Sequence, residues 1–162
     1  MKAKAVANLL NGVGGLVGLL LSTGAVAVPY TNTSGAICKN LDAPDASYID
    51  YLPAGVRSLK SAATSIICPL SRDTMSSKGA VGYVDVYHSV SATTACTLYS
   101  YSKDASSRLG LYSQTWTGAG FHEFKLLLNA NGKSGPHSSY VMVCIIPQSQ
   151  RGKIMGVDLW EQ

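Results

Sequence analysis

The sequence predicts an all-β fold, an antiparallel β-sandwich of jelly-roll or immunoglobulin-like type with seven or eight strands and two disulfides. Three observations lead there. Apolar and polar residues alternate over short runs, and clusters of turn-forming residues separate those runs at hairpin-like intervals. Charged residues make up only 14% of the chain while Ser, Thr, Gly and Tyr abound, a profile of extracellular β-proteins and not of helical enzymes. The four cysteines, an even number, are spread too widely for a redox pair or a zinc ribbon.

The leader comes first. Lys2 and Lys4 precede an apolar stretch from Gly12 to Leu21, and Ala25-Val26-Ala27 sets two small residues at signal-peptidase spacing. Residues 1–27 therefore read as a secretory signal peptide and residues 28–162 as one secreted domain. An uncleaved anchor has sufficient length, because Ala5 to Val28 carries no charge and a bilayer needs about 20 residues. Asn8, Asn11, Ser22, Thr23, the glycines Gly12, Gly14, Gly15 and Gly18, and the lack of a basic cluster after Val28 argue against it. The expectation is a secreted or periplasmic protein with no membrane contact after cleavage. Past the leader, 11 Lys and Arg face 9 Asp and Glu, a net charge of +2 with the basic residues scattered singly. That excludes the phosphate-tracking stripe of a nucleic-acid binder.

Strands are expected near 35–39, 60–68, 80–88, 94–101, 108–117, 121–128, 139–146 and 153–161. Turn-rich segments fall between them, at Asp42-Ala43-Pro44-Asp45, Ser76-Ser77-Lys78-Gly79, Lys103 to Ser107 and Asn129-Ala130-Asn131-Gly132. The best helix candidate, Val56 to Ile67, is interrupted by serines and stops at Cys68-Pro69. Parity then assigns faces. Val84 and Val86 oppose Tyr83, Asp85 and Tyr87; Cys96 and Leu98 oppose Tyr99 and Tyr101. Leu109 and Leu111 oppose Tyr112, Gln114 and Trp116, and Met155, Val157 and Leu159 oppose Asp158 and Trp160. With the aliphatics turned inward, the tyrosines and Trp116 point outward.

Cys38, Cys68, Cys96 and Cys144 are separated by 30, 28 and 48 residues. Three pairings are open, of which Cys38–Cys68 with Cys96–Cys144 is favoured. Each bond would stabilise by roughly 4 kcal/mol through the closed loop alone.

Several short motifs recur in a familiar order: Cys68-Pro69-Leu70 before Arg72-Asp73, Val84-Asp85-Val86-Tyr87, Cys96-Thr97-Leu98, Cys144-Ile145-Ile146-Pro147, and a closing Ile154, Val157 and Glu161. In that order they resemble a group of small exported bacterial four-cysteine β-domain proteins of unassigned function. The resemblance covers most of residues 36–162. It implies a secreted, disulfide-bonded β-domain and carries over no catalytic or ligand residue.

Chemistry is sparse. His88, His122 and His137 lie in no hydrolase motif, and His122 and Glu123 alternate across a strand. Gly132-Lys133-Ser134 lacks the earlier glycine and the helix of a phosphate-binding loop. Asn32-Thr33-Ser34 fits a glycosylation acceptor, relevant only in a eukaryotic secretory pathway. Asp42, Asp45 and Asp50 match no calcium loop, and Arg72-Asp73 reads as a turn with a local ion pair. No cofactor or metal is implied. The one constellation of interest is the outward aromatic set, Tyr83, Tyr87, Tyr99, Tyr101, Tyr112 and Trp116, which three consecutive antiparallel strands would gather on one face. The function expected is a non-catalytic exported binding or structural module whose aromatic sheet face meets a glycan or a protein. The alternatives are a secreted hydrolase of unrecognised type and an inhibitor of a foreign enzyme.

Overall fold

A strand of 22 residues would run roughly 70 Å if it stayed straight. The chain contains one, β6 (Ala80–Tyr101), and its neighbour β7 (Arg108–Leu128) is almost as long. The computed structural model describes residues 30–72, 79–128, 135 and 137–161. The expected leader, Asp73, Ser76 to Lys78, Asn129 to Gly132 and the Gly132-Lys133-Ser134 segment lie outside them.

The pair pairs antiparallel from Ala80↔Leu128 to Tyr101↔Arg108, with a register shift between His88 and Ala92 where both strands turn. Gly118 and Gly120 face that turn, and Gly120 has φ +91°, a conformation that strains any residue with a Cβ. Beyond the turn β6 changes partners. Its first half pairs with β9 (Gly152–Glu161) and its second half with β8 (Ser139–Ile146). One continuous sheet thus folds into two layers.

The first layer runs β2 (Lys39–Asn40), β5 (Thr64–Leu70), β8, the second half of β6 and the first half of β7. The second runs from the other half of β7 through β6 and β9 to β4 (Gly55–Ser58) and β3 (Ile49–Leu52), with β1 (Tyr30–Ser34) also on β9. Their inner faces meet closely. A Cβ on Gly82 of the second layer would come within 3.0 Å of Met142 Cε and 3.1 Å of Leu98 Cδ2 in the first. Between them lie Val84, Val86, Leu126, Leu128, Ile154, Val157 and Leu159 against Ile66, Leu98, Met142 and Ile146, all buried. Burying each such side chain stabilises by roughly 1.5–3 kcal/mol.

The expected all-β sandwich is present, with nine strands among the described residues in place of seven or eight. Four predicted strands are fused into two, β6 and β7, because a bend need not interrupt the ladder. The strand expected at 35–39 is mostly a 3-10 turn, Gly35–Ile37, where the Ser34 hydroxyl accepts the Ala36 N–H at 3.2 Å. The strand expected at 60–68 begins only at Thr64, and β1, β3 and β4 had not been expected. In β9 a bulge opposite Asp85 and Val86 puts Ile154 inward where alternation had placed Met155; Val157 and Leu159 keep their assigned side.

Both favoured disulfides form, Cys38–Cys68 and Cys96–Cys144. Cys96 and Cys144 face each other across β6 and β8, and Lys39↔Ile67 pairing sets Cys38 beside Cys68. Both bonds therefore lie within the first layer. Arg72 reaches across to other elements, while the ion pair expected with Asp73 lies outside the described residues. The arginine pairs with Glu161 at 2.8 Å, donates to the Gly135 and Ser138 carbonyls, and lies over the Tyr140 ring.

Candidate functional site

The six predicted aromatics do not share a face. Tyr83 and Tyr87 lie on the outside of the second layer and Tyr99 and Tyr101 on the outside of the first. Tyr112 and Trp116 turn inward, because Tyr112 stands opposite Leu98 and Trp116 opposite Thr94. Residues directly opposite in an antiparallel pair share a face, so Leu111, opposite Tyr99, points outward and not to the interior as assigned; Leu109 falls in the register shift beside Tyr101 and is half-buried. Gln114, opposite Cys96, falls on the same side of the strand as Tyr112 and Trp116 but stays exposed.

Trp116 is occupied on both sides. Its ring centroid lies 4.5 Å from that of His88 and 4.7 Å from that of His122, the latter nearly parallel at 11°. Its indole also covers Gly118, where a Cβ would meet Trp116 Cζ2 at 2.9 Å. Both faces of the indole are thus used in packing. Beneath it, His88 Nδ1 donates to the Gly118 carbonyl at 2.9 Å and Nε2 meets Thr94 Oγ1 at 2.7 Å. A hydroxyl beside an imidazole has the look of a nucleophile with its base, yet Thr94 and His88 are 0% and 1% exposed. His122 is half-buried against Trp116 and His137 is exposed in a turn.

The outside of the second layer carries a different arrangement. A single transverse row crosses five strands: Asp50 on β3, Arg57 on β4, Lys153 on β9, Tyr87 on β6 and Phe121 on β7. Arg57 Nε donates to Asp50 Oδ2 at 2.8 Å. Lys153 Nζ sits 5.4 Å from the centre of the Tyr87 ring, a cation–π contact. Phe121 closes the row at 62% exposure, beside Tyr87 at 42%. A cleft of about 140 Å³ opens along the row, lined by Leu52, Arg57, Tyr87, Ser89, Gln150, Gly152 and Lys153.

The next rows are charged as well. Asp85 stands opposite Glu123 and reaches over Gly156, where a Cβ would lie 2.9 Å from Asp85 Oδ2. Burial, then the Asp158 and Glu123 carboxylates, push the Asp85 carboxyl above its ordinary range. Lys125 Nζ lies 5.2 Å from the Tyr83 ring centre. On the first layer Tyr99 and Tyr101 stand side by side, ring centres 6.1 Å apart. The acidic loop resolves into ion pairs, Asp45 with Lys60 and Asp50 with Arg57. Among the described residues no three of His, Cys, Asp and Glu come together to hold a metal ion.

Phe121, Lys153 and Arg57 were missed by the sequence reading. Phe121 had a signal: it falls with Glu123 and Lys125, out of phase with buried Phe124, Leu126 and Leu128. Lys153 and Arg57 had none, since the bulge in β9 and the short strand β4 are what align them.

No protein-family model matches the sequence, and no curated protein matches it significantly. Solved structures resemble the fold. A xylan-binding module, CBM15, has a TM-score of 0.50 and 15% identity, over 83% of this chain and 97% of that one. A CBM36-1 domain of a multidomain xylanase from the hindgut metagenome of Trinervitermes trinervoides has a TM-score of 0.49 and 9% identity, over 80% and 95%. At such identities the first likeness establishes the β-sandwich fold.

Proposed function

We propose that the protein is a non-catalytic glycan-binding module, exported by a leader cleaved after Ala27, that stacks sugar rings on the outer face of its second layer. The observation that carries this reading is the transverse row, in which the exposed Phe121 and Tyr87 rings adjoin a cleft whose mainly apolar wall carries a few polar side chains. Carbohydrate recognition asks for that combination. A flat apolar ring packs against the C–H face of a sugar, while fixed polar groups beside it accept and donate to the hydroxyls. Of the six aromatics first singled out, Tyr87 and Tyr83 stay with this site. Tyr99 and Tyr101 lie on the other outer face, and Tyr112 and Trp116 serve packing.

Supporting considerations come from elsewhere in the chain. Two disulfides suit an oxidising compartment. Among the described residues no helix is long and apolar enough to cross a membrane. The fold is similar to that of the xylan-binding module, a protein that binds a polysaccharide. The buried Thr94–His88 pair offers a substrate no approach, so the hydrolase alternative gains nothing from it. A glycan array probed with the purified domain, beside a pull-down from the extracellular fraction, tests the reading. Retention on defined polysaccharides is the expected outcome; an empty array with a captured protein would replace the glycan by a protein partner.

A further inference from the structure

The cleft at the end of the aromatic pair has walls of one sign. Of its seven lining residues, two are cations, Arg57 and Lys153, and none is an acid. Asp50, the partner of Arg57, engages the inner nitrogen, Nε, at 2.8 Å. The rest of the guanidinium fork faces no carboxylate among the described residues, and Lys153 has no ion pair there. Its ammonium instead lies over Tyr87, held in place by the ring. Gln150 and Ser89 add neutral polar groups to the same walls. Asp85 and Glu123, the acids of the neighbouring row on the same outer face, do not line the cleft.

Resting on the glycan reading above, we infer that this site selects an anionic sugar, a carboxylate or sulfate group entering the cleft between Arg57 and Lys153. A sugar ring stacked on Phe121 and Tyr87 would carry that substituent across the row. The geometry suits the chemistry. A guanidinium with a free edge accepts a carboxylate in a fork, and a nearby ammonium adds a point charge that does not need a fixed direction. A partly enclosed cleft screens these charges less than open surface does. A neutral sugar would leave the cations without compensation and would gain only the stacking.

The test compares three probes by titration calorimetry: an oligogalacturonide, its methyl ester, and a sulfated neutral oligosaccharide, each at low and at physiological salt. The acid is expected to bind about tenfold or more tightly than its ester, the gain shrinking with salt. Lys153→Gln should remove most of that preference and flatten the salt dependence. Phe121→Ala should instead weaken acid and ester in the same proportion. Tight binding of the sulfated probe alone would assign the anion as a sulfate and keep the cleft as its site. Equal binding of acid, ester and sulfated probe would overturn the inference while leaving the glycan reading standing. Binding of none of them, with an empty array of neutral glycans, would remove both. Unchanged melting of each variant confirms that binding and not folding is being read.

Discussion

The two outer faces of the sandwich share only the long strands β6 and β7 and differ in nearly every side chain. On the first layer, three successive rows read Ser65–Ile145–Ala95–Thr115, Lys39–Ile67–Val143–Thr97–Ser113 and Pro69–Val141–Tyr99–Leu111, with one charge among them, Lys39 at the β2 edge. On the second, the corresponding rows carry Asp50, Arg57 and Lys153, then Asp85 and Glu123, then Asp158 and Lys125. The layers also differ in how they are held. Both disulfides lie in the neutral layer; the charged layer has the Arg57–Asp50 ion pair and no disulfide. A hairpin long enough to serve two layers shares its backbone between them, so each face can be specialised without altering the other. The covalent staples fix the neutral layer as a frame, and the polar row on the other side is free to meet a ligand.

Removing a staple should break this contrast most severely. Cys96→Ala with Cys144→Ala opens a closed loop of 48 residues and is expected to cost about 4 kcal/mol in a denaturant titration. A loss no greater than that of an ordinary surface change would show that the neutral layer is not the frame. Trp116→Ala comes next. It empties the space between His88 and His122, and a loss of about 3 kcal/mol is expected in the same experiment. Glycan affinity per folded molecule should stay unchanged, because the indole faces inward; a specific loss of affinity would return Trp116 to the binding surface. Tyr99→Ala with Tyr101→Ala tests the neutral face. The stacked pair is expected to contribute about 1 kcal/mol to stability and nothing to binding on the opposite side. Equal weakening of binding by this pair would erase the difference between the faces.

The smallest effect concerns Asp85, whose folded carboxyl titrates above its unfolded value because burial and the Asp158 and Glu123 carboxylates disfavour its charge. Its ionisation therefore opposes folding at neutral pH. That opposition fades as pH falls through the raised folded value and is absent below the unfolded value near 3.8. Asp85→Asn should raise the melting temperature slightly at pH 7 and leave it unchanged near pH 3. A pH-independent difference between the two proteins would assign the effect to packing over Gly156.

Much of this was legible in the residues, and the failures have a common cause. Alternation located the strands that became β6 to β9, and the even number of cysteines indicated two disulfides, of which the favoured pairing is the one that forms. The faces of β6 were also read correctly, since Cys96, Leu98, Val84 and Val86 are all buried. The error on β7 arose from treating each strand alone. Leu98-Tyr99 and Leu111-Tyr112 have the same local pattern, yet antiparallel register sets Leu98 against Tyr112 and Tyr99 against Leu111. On the edge strand β7 the first half has only partial burial on either side, so hydrophobicity does not decide which way it faces. The partner strand decides. Phe121 was visible through its phase, but the alignment of Arg57 and Lys153 with Tyr87 depends on a bulge and a four-residue strand. Neither leaves a periodic trace.

The central claim is that the Tyr87–Phe121 row is a glycan platform, and paired titrations of wild type and Phe121→Ala with Tyr87→Ala test it most directly. The ligand should be the best binder from the glycan array, with thermal melting recorded on the same samples. Loss of the two rings is expected to weaken binding by about 2 kcal/mol or more, some thirtyfold, with the melting temperature nearly preserved. Undiminished binding by the folded double variant would contradict the account.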